Sequence, residues 1–156
     1  MIAQPARRNT AFAMIFMVLV ACGSQPTAVR TEYGKSVGAQ AAAIALDQVG
    51  APYRYGGNSP TGFDCSGLVQ YSFLQAGVST PRTTGQLWSA AQPVSNTDLR
   101  KGDLLFFRID GKMSHVGMYV GGRRFVHAPQ SGRSVSVVSL DVPYYRHAFI
   151  GAGRIY

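Results

Sequence analysis

Apolar residues in the first half of the chain recur at helical spacing. Residues 37–49 are rich in alanine, with larger apolar side chains every three or four positions, and this predicts a helix that Gly50 ends. A second apolar face runs through residues 65–76 and predicts a helix that ends at Gly77. A shorter helix is expected around residues 84–90.

The second half of the chain changes to the apolar runs and alternation that are typical of strands. Five strands are predicted, over residues 103–108, 114–120, 124–128, 134–140 and 147–155. Because the helices precede the strands along the chain, we predict an α+β fold. Its N-terminal helices should pack on an antiparallel sheet of five to six strands.

The relative position of His115 and His127 depends on the turn between their strands. The two strands meet around Gly121 and Gly122, and successive side chains of a strand point to opposite faces. A plain two-residue turn would put the histidines on opposite faces, whereas an odd-length loop would pair them directly on one face. If the two rings act together, we expect a three- or five-residue loop or a bulge.

The N-terminal segment has the charge and length of an export signal. Arg7 and Arg8 precede an apolar run over residues 11–21, which is shorter than the ~20 residues of a membrane span but fits a signal peptide. The run ends in Leu-Val-Ala before Cys22, which resembles the lipobox of bacterial lipoproteins. The resemblance implies cleavage before Cys22, acyl chains on that residue and, with Gly23 next, an outer-membrane destination. An ordinary signal peptide or a short anchor is the alternative.

These features divide the chain into three parts. Residues 1–21 are a predicted lipoprotein signal peptide, and residues 22–36, rich in small and polar residues, are a predicted lipidated tether. Residues 37–156 suit one domain. We expect a monomer on the periplasmic face of the outer membrane, anchored through Cys22.

The charge of the chain is strongly positive. It is +8 for the whole sequence, and removal of Arg7 and Arg8 lowers it to +6. A nucleic acid is the usual partner of a basic chain, but here the basic residues are scattered and the chain carries an export signal. An acidic polymer of the cell envelope is a better electrostatic partner, and a charge that only maintains solubility is the alternative.

Cys65 is the residue with the clearest candidate chemistry. It begins the predicted second helix, and lipidation of Cys22 would leave it as the free thiol of the mature chain. The positive end of a helix favours a thiolate, so we expect a thiol pKa below the ordinary value of about 8.5. With His115 as base and His127 to orient that base, the sulfur could attack an acyl carbon. A small buried apolar residue is the alternative.

Six motifs in order along the chain resemble the NlpC/P60 family of cell-wall cysteine peptidases. The resemblance covers about residues 37–156, and the set of motifs is far more specific than any one of them. The motifs are Pro52 to Gly57, Asp64 to Gly67, Pro81 to Gln86, Gly102 to Phe107, His115 to Tyr119 and Phe125 to Ala128.

The resemblance implies a compact papain-like fold and hydrolysis of peptidoglycan stem peptides. The bonds cut by the family are γ-D-glutamyl–diaminopimelate bonds or diaminopimelate–D-alanine cross-links. By position, Cys65 is the nucleophile, His115 the base and His127 the residue that orients the base. The resemblance implies no cofactor and no metal ligand.

Four further residues match family positions around the nucleophile. Tyr53 matches a tyrosine whose hydroxyl assists the oxyanion hole, and Asp64, Ser66 and Arg82 match residues that shape the substrate site. Each also has a local structural role open to it. Tyr53 could be a packed loop aromatic, Asp64 a helix N-cap, and Ser66 a residue that serves only the first helical turn. Arg82 is more readily explained as structural than as substrate-binding.

Three alternative functions remain open at this level. The chain could be a catalytically inert peptidoglycan-binding lipoprotein that keeps the fold. It could be an amidase or acyltransferase, because an acyl-enzyme can be resolved by an amine instead of water. A zinc site is the third alternative, because one Cys and two His are suitable ligands.

Overall fold

The structure is a computed structural model that describes Met1 and residues 27–156, with side chains described from residue 37 onward. Within that part of the chain the helices are α1 (Thr27–Asp47), α2 (Cys65–Gln75), α3 (Thr84–Ala90) and α4 (Pro143–Ala148). The strands are β1 (Asn58–Ser59), β2 (Gly62–Phe63), β3 (Gln92–Val94), β4 (Leu104–Ile109), β5 (Lys112–Gly121), β6 (Arg124–His127), β7 (Ser136–Ser139) and β8 (Phe149–Arg154).

The predicted α+β class is confirmed. Strands β1 and β2 form a small hairpin, and the other six strands form one sheet in the order β3-β8-β4-β5-β6-β7. Every neighbouring pair in that sheet is antiparallel. The N-terminal helices pack on this sheet, as the order of helical and strand patterns predicted.

The first helix starts earlier than predicted. Helix α1 begins at Thr27, ten residues before the predicted start at residue 37, so residues 27–36 are helical where a flexible tether was expected. This segment contains alanine, arginine, glutamate and lysine, which favour helix, although it lacks the apolar spacing on which the prediction relied. Cys22 and the predicted signal peptide lie outside the described residues. No helix of the described part is both long and apolar enough to cross a bilayer.

The C-terminal part also differs from the prediction. Residues 143–148 form α4, and the last strand begins at Phe149, although the sequence pattern carried a strand from residue 147. Pro143 at the first helical position favours a helix start. The two tyrosines that follow it favour a strand, but the segment is helical, as the proline indicates. Strand β3 at the sheet edge was not predicted.

The apolar run of β4 is buried on both faces of the sheet. Leu104 and Phe106 belong to the core beneath α1 and α2, while Leu105 and Phe107 belong to the core on the opposite face, next to α4. All four side chains are fully buried. A strand covered on both sides has no need of alternation, which explains why this strand reads as a continuous apolar run.

The β5–β6 hairpin combines a tight turn with a bulge. Gly122 and Arg123 both have positive φ, as a two-residue type I′ turn requires. Tyr119 pairs with Phe125 but Gly121 pairs with Arg124, so Val120 is an extra residue on β5. The bulge restores the parity that puts His115 and His127 on one face. The bulge is one of the two arrangements that the sequence required for the rings to share a face. The register places His127 diagonally from His115, beside Gly117.

A buried ion pair ties the end of the chain to the start of β4. The carboxylate of Asp103 is fully buried and accepts hydrogen bonds from Arg154 at 2.7 and 2.8 Å and from the Tyr156 hydroxyl at 3.1 Å. The amide of Arg100 donates a further bond at 2.8 Å. A buried charge is tolerated when it is satisfied in this way, so the aspartate of the Gly102-Asp103 motif has a structural role.

Candidate active site

The sequence around Cys65 builds a capped helix start. The Asp64 side chain accepts a hydrogen bond from the amide of Gly67 at 2.6 Å, so Asp64 is the N-cap and Cys65 the first residue of α2. Gly67 lies against the backbone of Gly57, and a Cβ at position 67 would collide with the Gly57 carbonyl oxygen. Gly57 and Gly67 thus allow the loop that precedes α2 to pass close to the start of the helix.

Asp64, Ser66 and Arg82 are brought together as one network. The Arg82 guanidinium donates to both carboxylate oxygens of Asp64, at 2.9 and 2.7 Å, and to the hydroxyl of Ser66 at 2.9 Å. The amide of Gly56 donates to Asp64 as well, at 3.0 Å. The bond to Asp64 raises the pKa of Arg82. This two-point pairing orders the loop before Cys65, so the structural roles of Asp64 and Arg82 are real whatever else they bind.

The thiol of Cys65 lies against the strand that carries His115. Its sulfur is 3.9 Å from the carbonyl oxygen of Ser114 and 3.7 Å from the hydroxyl of Thr84 on α3. The amide of Val116 also points to the sulfur. Among the described residues neither histidine ring is a hydrogen-bond partner of the thiol. The sulfur instead contacts β5 at Ser114, the residue before His115.

The thiol pKa differs in direction from the sequence-based expectation. Burial raises the pKa of Cys65 above its ordinary value, and the Asp64 carboxylate raises it further. Hydrogen bonds from Thr84 and from the amides of Val116 and Ser66 act in the opposite direction but are outweighed. The expected low pKa is therefore wrong, because the helix start is desolvated by the residues packed over it.

His115 and His127 form a buried pair. Nε2 of His115 lies 2.8 Å from Nδ1 of His127, and the side chains are 5% and 1% exposed. Burial lowers the pKa of His115 to about 4, and burial with the neighbouring ring lowers that of His127 to about 3. Both imidazoles are neutral at neutral pH. The second ring is therefore placed to orient the first.

Tyr145 extends this pair by one contact. Its hydroxyl is 3.5 Å from Nε2 of His127, and its ring meets the imidazole edge to face. Tyr145 comes from α4, the helix that the sequence pattern did not predict. The sequence reasoning therefore missed this residue, and also Thr84, although the helix that carries Thr84 was predicted.

Tyr53 lies close to Cys65. Burial raises the pKa of its phenol, and the next contributions come from Cys65 and then Asp64. Its backbone amide donates to the carbonyl of Arg133 at 2.8 Å, which fixes the loop that carries it. The phenol is therefore near Cys65 and Asp64.

A cleft of about 460 Å³ opens beside the histidines. The residues that line it include His115, His127, Pro129, Gln130, Arg133 and Tyr145. His115 lies on the strand that the thiol contacts, and it also lines this cleft. The cleft is large enough for part of a peptide. In the described part of the chain, no three Cys, His, Asp or Glu side chains come together as a metal-binding group.

Comparison with curated proteins finds relatives that are named as endopeptidases. The chain is 40% identical over 116 residues to murein DD-endopeptidase MepH of Escherichia coli, an alignment that covers 70% of this chain and 43% of that protein. The first curated relatives that it matches are all longer, and this chain spans less than half of each.

Solved structures agree with this similarity. An NlpC/P60 family protein from Bacillus cereus superposes with a TM-score of 0.68 at 35% identity, covering 73% of this chain and 40% of that one. The NlpC/P60 domain of peptidoglycan hydrolase SagA superposes with a TM-score of 0.65 at 38% identity, covering 74% of this chain and 97% of that one. The NlpC/P60 family model itself matches residues 50–154. The chain therefore belongs to the NlpC/P60 family.

Proposed function

We propose that this chain is a cysteine endopeptidase that hydrolyses peptide stems or cross-links of peptidoglycan. The observation that carries the proposal is the 2.8 Å contact of His127 with His115, which lies on β5, the strand against which the Cys65 sulfur lies. Family membership supports it, and so do the names of relatives, which include a murein DD-endopeptidase and a peptidoglycan hydrolase.

The resting site is neutral, and this determines the first step. Because the pKa of the Cys65 thiol is raised and that of His115 is lowered to about 4, the proton leaves sulfur for the imidazole as the sulfur attacks the carbonyl carbon. His115 acts through Nδ1, since its Nε2 faces His127. The acid–base pair forms during the reaction and is not stored as an ion pair.

The hydrogen positions follow from the chain of contacts. A neutral imidazole carries one N–H, so a basic Nδ1 on His115 requires hydrogen on its Nε2, donated to Nδ1 of His127. His127 then carries hydrogen on its own Nε2, which faces the hydroxyl oxygen of Tyr145 at 3.5 Å. In this arrangement His127 orients His115 and stabilises the imidazolium that forms.

The remaining steps use groups at the helix start. The negative oxygen of the tetrahedral intermediate is bound by the amide of Cys65, which has no acceptor inside the helix, and by the hydroxyl of Tyr53. His115 then gives its proton to the leaving amine, and the acyl group stays on sulfur. Water, activated by the same imidazole, hydrolyses this acyl-enzyme.

The place of action is part of the proposal. We infer from the lipobox-like sequence that Cys22 carries the lipid and that the domain works at the periplasmic face of the outer membrane. The net charge of +6 after signal removal favours an anionic polymer such as peptidoglycan. No nucleic acid is expected as partner, and the domain acts as a monomer.

The test is digestion of purified sacculi and muropeptides by the full chain, with products identified by mass spectrometry. Wild type should release defined peptides, and Cys65→Ala should release none, because no other side chain takes the place of the nucleophile. Cys65→Ser should lose at least ~1000-fold in rate, because a neutral imidazole activates a hydroxyl poorly. Cleavage by Cys65→Ala at the wild-type rate would exclude the mechanism.

The raised thiol pKa favours one alternative, an inert peptidoglycan-binding lipoprotein. Such a protein would bind sacculi equally well as wild type and as Cys65→Ala, and neither would release peptides. The turnover experiment separates this possibility from the proposal. Products with a new amide bond instead of a free carboxylate would identify the acyltransferase alternative.

A further inference from the structure

The cleft beside the histidine pair contains a cation that the proposed mechanism does not use. Arg133 lines this cleft with His115, His127 and Tyr145. None of the described residues that line it is Asp or Glu. Within the described part of the chain, the ion pairs involve other arginines, and Arg133 has no acidic partner. Its charge is therefore available to a ligand.

The backbone of Arg133 is fixed although its side chain is exposed. Its carbonyl accepts the amide of Tyr53 at 2.8 Å, and its amide donates to the carbonyl of Gln130 at 3.1 Å. Two residues later, Val135 exchanges backbone hydrogen bonds with the loop before Tyr53, at 2.8 and 2.9 Å. A side chain on such a clamped segment loses less entropy when it binds than one on a free loop.

The charge of Arg133 reaches Tyr145, which contacts the histidine pair. Burial raises the pKa of Tyr145, and the positive charge of Arg133 opposes that rise. The hydroxyl of the same tyrosine contacts His127. The guanidinium is thus near the histidine side of the site, whereas Asp64, Ser66 and Arg82 surround the start of the cysteine helix.

The histidine side of the site is where the leaving group must lie. His115 returns its proton to the leaving amine, so the part of the substrate that follows the scissile bond is next to the imidazole. In both kinds of bond that the family resemblance implies, that amine belongs to diaminopimelate. Diaminopimelate retains a carboxylate that is not part of the bond being cut.

We propose that Arg133 binds a free carboxylate on the residue that leaves with the amine, and so makes the enzyme selective for an acidic leaving residue. The proposal rests on the proposed function. The guanidinium fork matches a carboxylate at two points, and the cleft offers no competing anion. An amide in place of that carboxylate would lose the charge and one of the two acceptors.

The test uses two muropeptides that differ only in whether this diaminopimelate carboxylate is free or amidated. Wild type should cleave the free acid with a kcat/KM about tenfold higher or more. Arg133→Gln should remove this preference by slowing cleavage of the free acid only. Arg133→Lys should keep part of the preference, because lysine retains the charge without the fork. Arg124→Gln removes an exposed arginine from the face of β6 opposite His127. This variant should keep the full preference.

Two results would overturn the proposal. One is a wild type that cleaves both peptides equally well, and the other is an Arg133→Gln enzyme that loses the same factor on both. Calorimetric binding of the two peptides to Cys65→Ala, with and without Arg133→Gln, separates this failure from failure of the proposed function. Preferential binding of the free acid that disappears with Arg133→Gln supports the carboxylate site even where no turnover occurs, and equal binding of both peptides refutes it.

Discussion

At the scale of single residues, burial rather than charge pairing sets the state of the candidate site. It lowers the pKa of His115 to about 4 and that of His127 to about 3, and it raises that of Cys65. The site is therefore a chain of neutral groups joined by hydrogen bonds. Which nitrogen of His115 can accept a proton depends on which nitrogen of each ring carries hydrogen. Tyr145 is the last group in this series of hydrogen bonds.

Removal of the Tyr145 hydroxyl tests this dependence. In Tyr145→Phe the Nε2–H of His127 loses its acceptor, so the tautomer that leaves Nδ1 of His115 basic is no longer favoured. We expect kcat to fall about threefold to tenfold while KM changes little, because a neutral hydrogen bond contributes roughly 0.5–1.5 kcal/mol. Steady-state kinetics on a defined muropeptide measures both.

The matched control is Tyr71→Phe. It removes the hydroxyl of a partly buried tyrosine that packs on Phe63 along α2. We expect its kcat to equal that of wild type. A Tyr145→Phe enzyme with unchanged kcat would assign Tyr145 to packing alone, and an equal loss in both variants would point to general destabilisation.

At the scale of elements, two local features bring the site together, which are the capped start of α2 and the bulged β5–β6 hairpin. The first was easier to predict from the sequence than the second. The capped start of α2 was predictable, since Asp64 precedes an apolar helical face and Gly57 and Gly67 occur in recognisable motifs. The parity of the histidines was predictable only as a condition. Two adjacent glycines allow a loop, a bulge or both, and the choice depends on the pairing of whole strands.

The unpredicted parts share one physical cause, which is that tertiary packing overrides local preference. Helix α4 contains tyrosines that favour strands, yet it covers the sheet face formed by Leu105, Phe107 and Phe125. Because α4 supplies Tyr145, the missed helix meant a missed site residue. The thiol pKa was mispredicted for a similar reason, since the burial that raises the pKa of Cys65 arises only in the folded chain.

The close approach of Gly67 to Gly57 makes a prediction at this scale. Alanine normally favours a helix over glycine by about 1 kcal/mol, but at position 67 its Cβ would overlap the Gly57 carbonyl oxygen. We expect Gly67→Ala to lower the free energy of unfolding by about 1–3 kcal/mol. Urea unfolding followed by circular dichroism measures the change, and activity should fall with it because the loop next to Cys65 must move.

Gly85→Ala in α3 is the matched control. A Cβ there meets nothing within 4 Å, and its φ is not positive. The same substitution should therefore leave the free energy of unfolding unchanged or raise it by up to about 1 kcal/mol. If both variants were stabilised, the Gly57 loop would be shown to yield, and the close packing would not explain the glycine at position 67.

At the scale of the whole molecule, the site is built into the core and so couples to global stability. His115 and His127 lie on β5 and β6, which are both interior strands of the sheet, and their neighbours Phe107 and Phe125 are fully buried. The chain cannot protonate either ring without placing a charge in this core. The same burial that keeps the base neutral therefore makes the fold sensitive to acid.

The pH dependence of unfolding follows from the two lowered pKa values. Between about pH 6.5 and pH 4 the histidines of the unfolded chain bind protons while those of the native chain, with pKa values of about 4 and about 3, do not. The unfolded state therefore gains protons as the pH falls, and stability decreases by up to about 1.4 kcal/mol per pH unit for each ring. Urea midpoints measured from pH 8 to pH 4 should show this loss.

His127→Gln, which replaces one ring by a group that does not titrate, should make the slope of stability against pH clearly shallower. His147→Gln, which alters an exposed histidine of α4, should leave that slope as in wild type. A His127→Gln slope equal to that of wild type would mean that the acid sensitivity arises outside the histidine pair, and that the neutrality of the proposed base is not coupled to the stability of the fold.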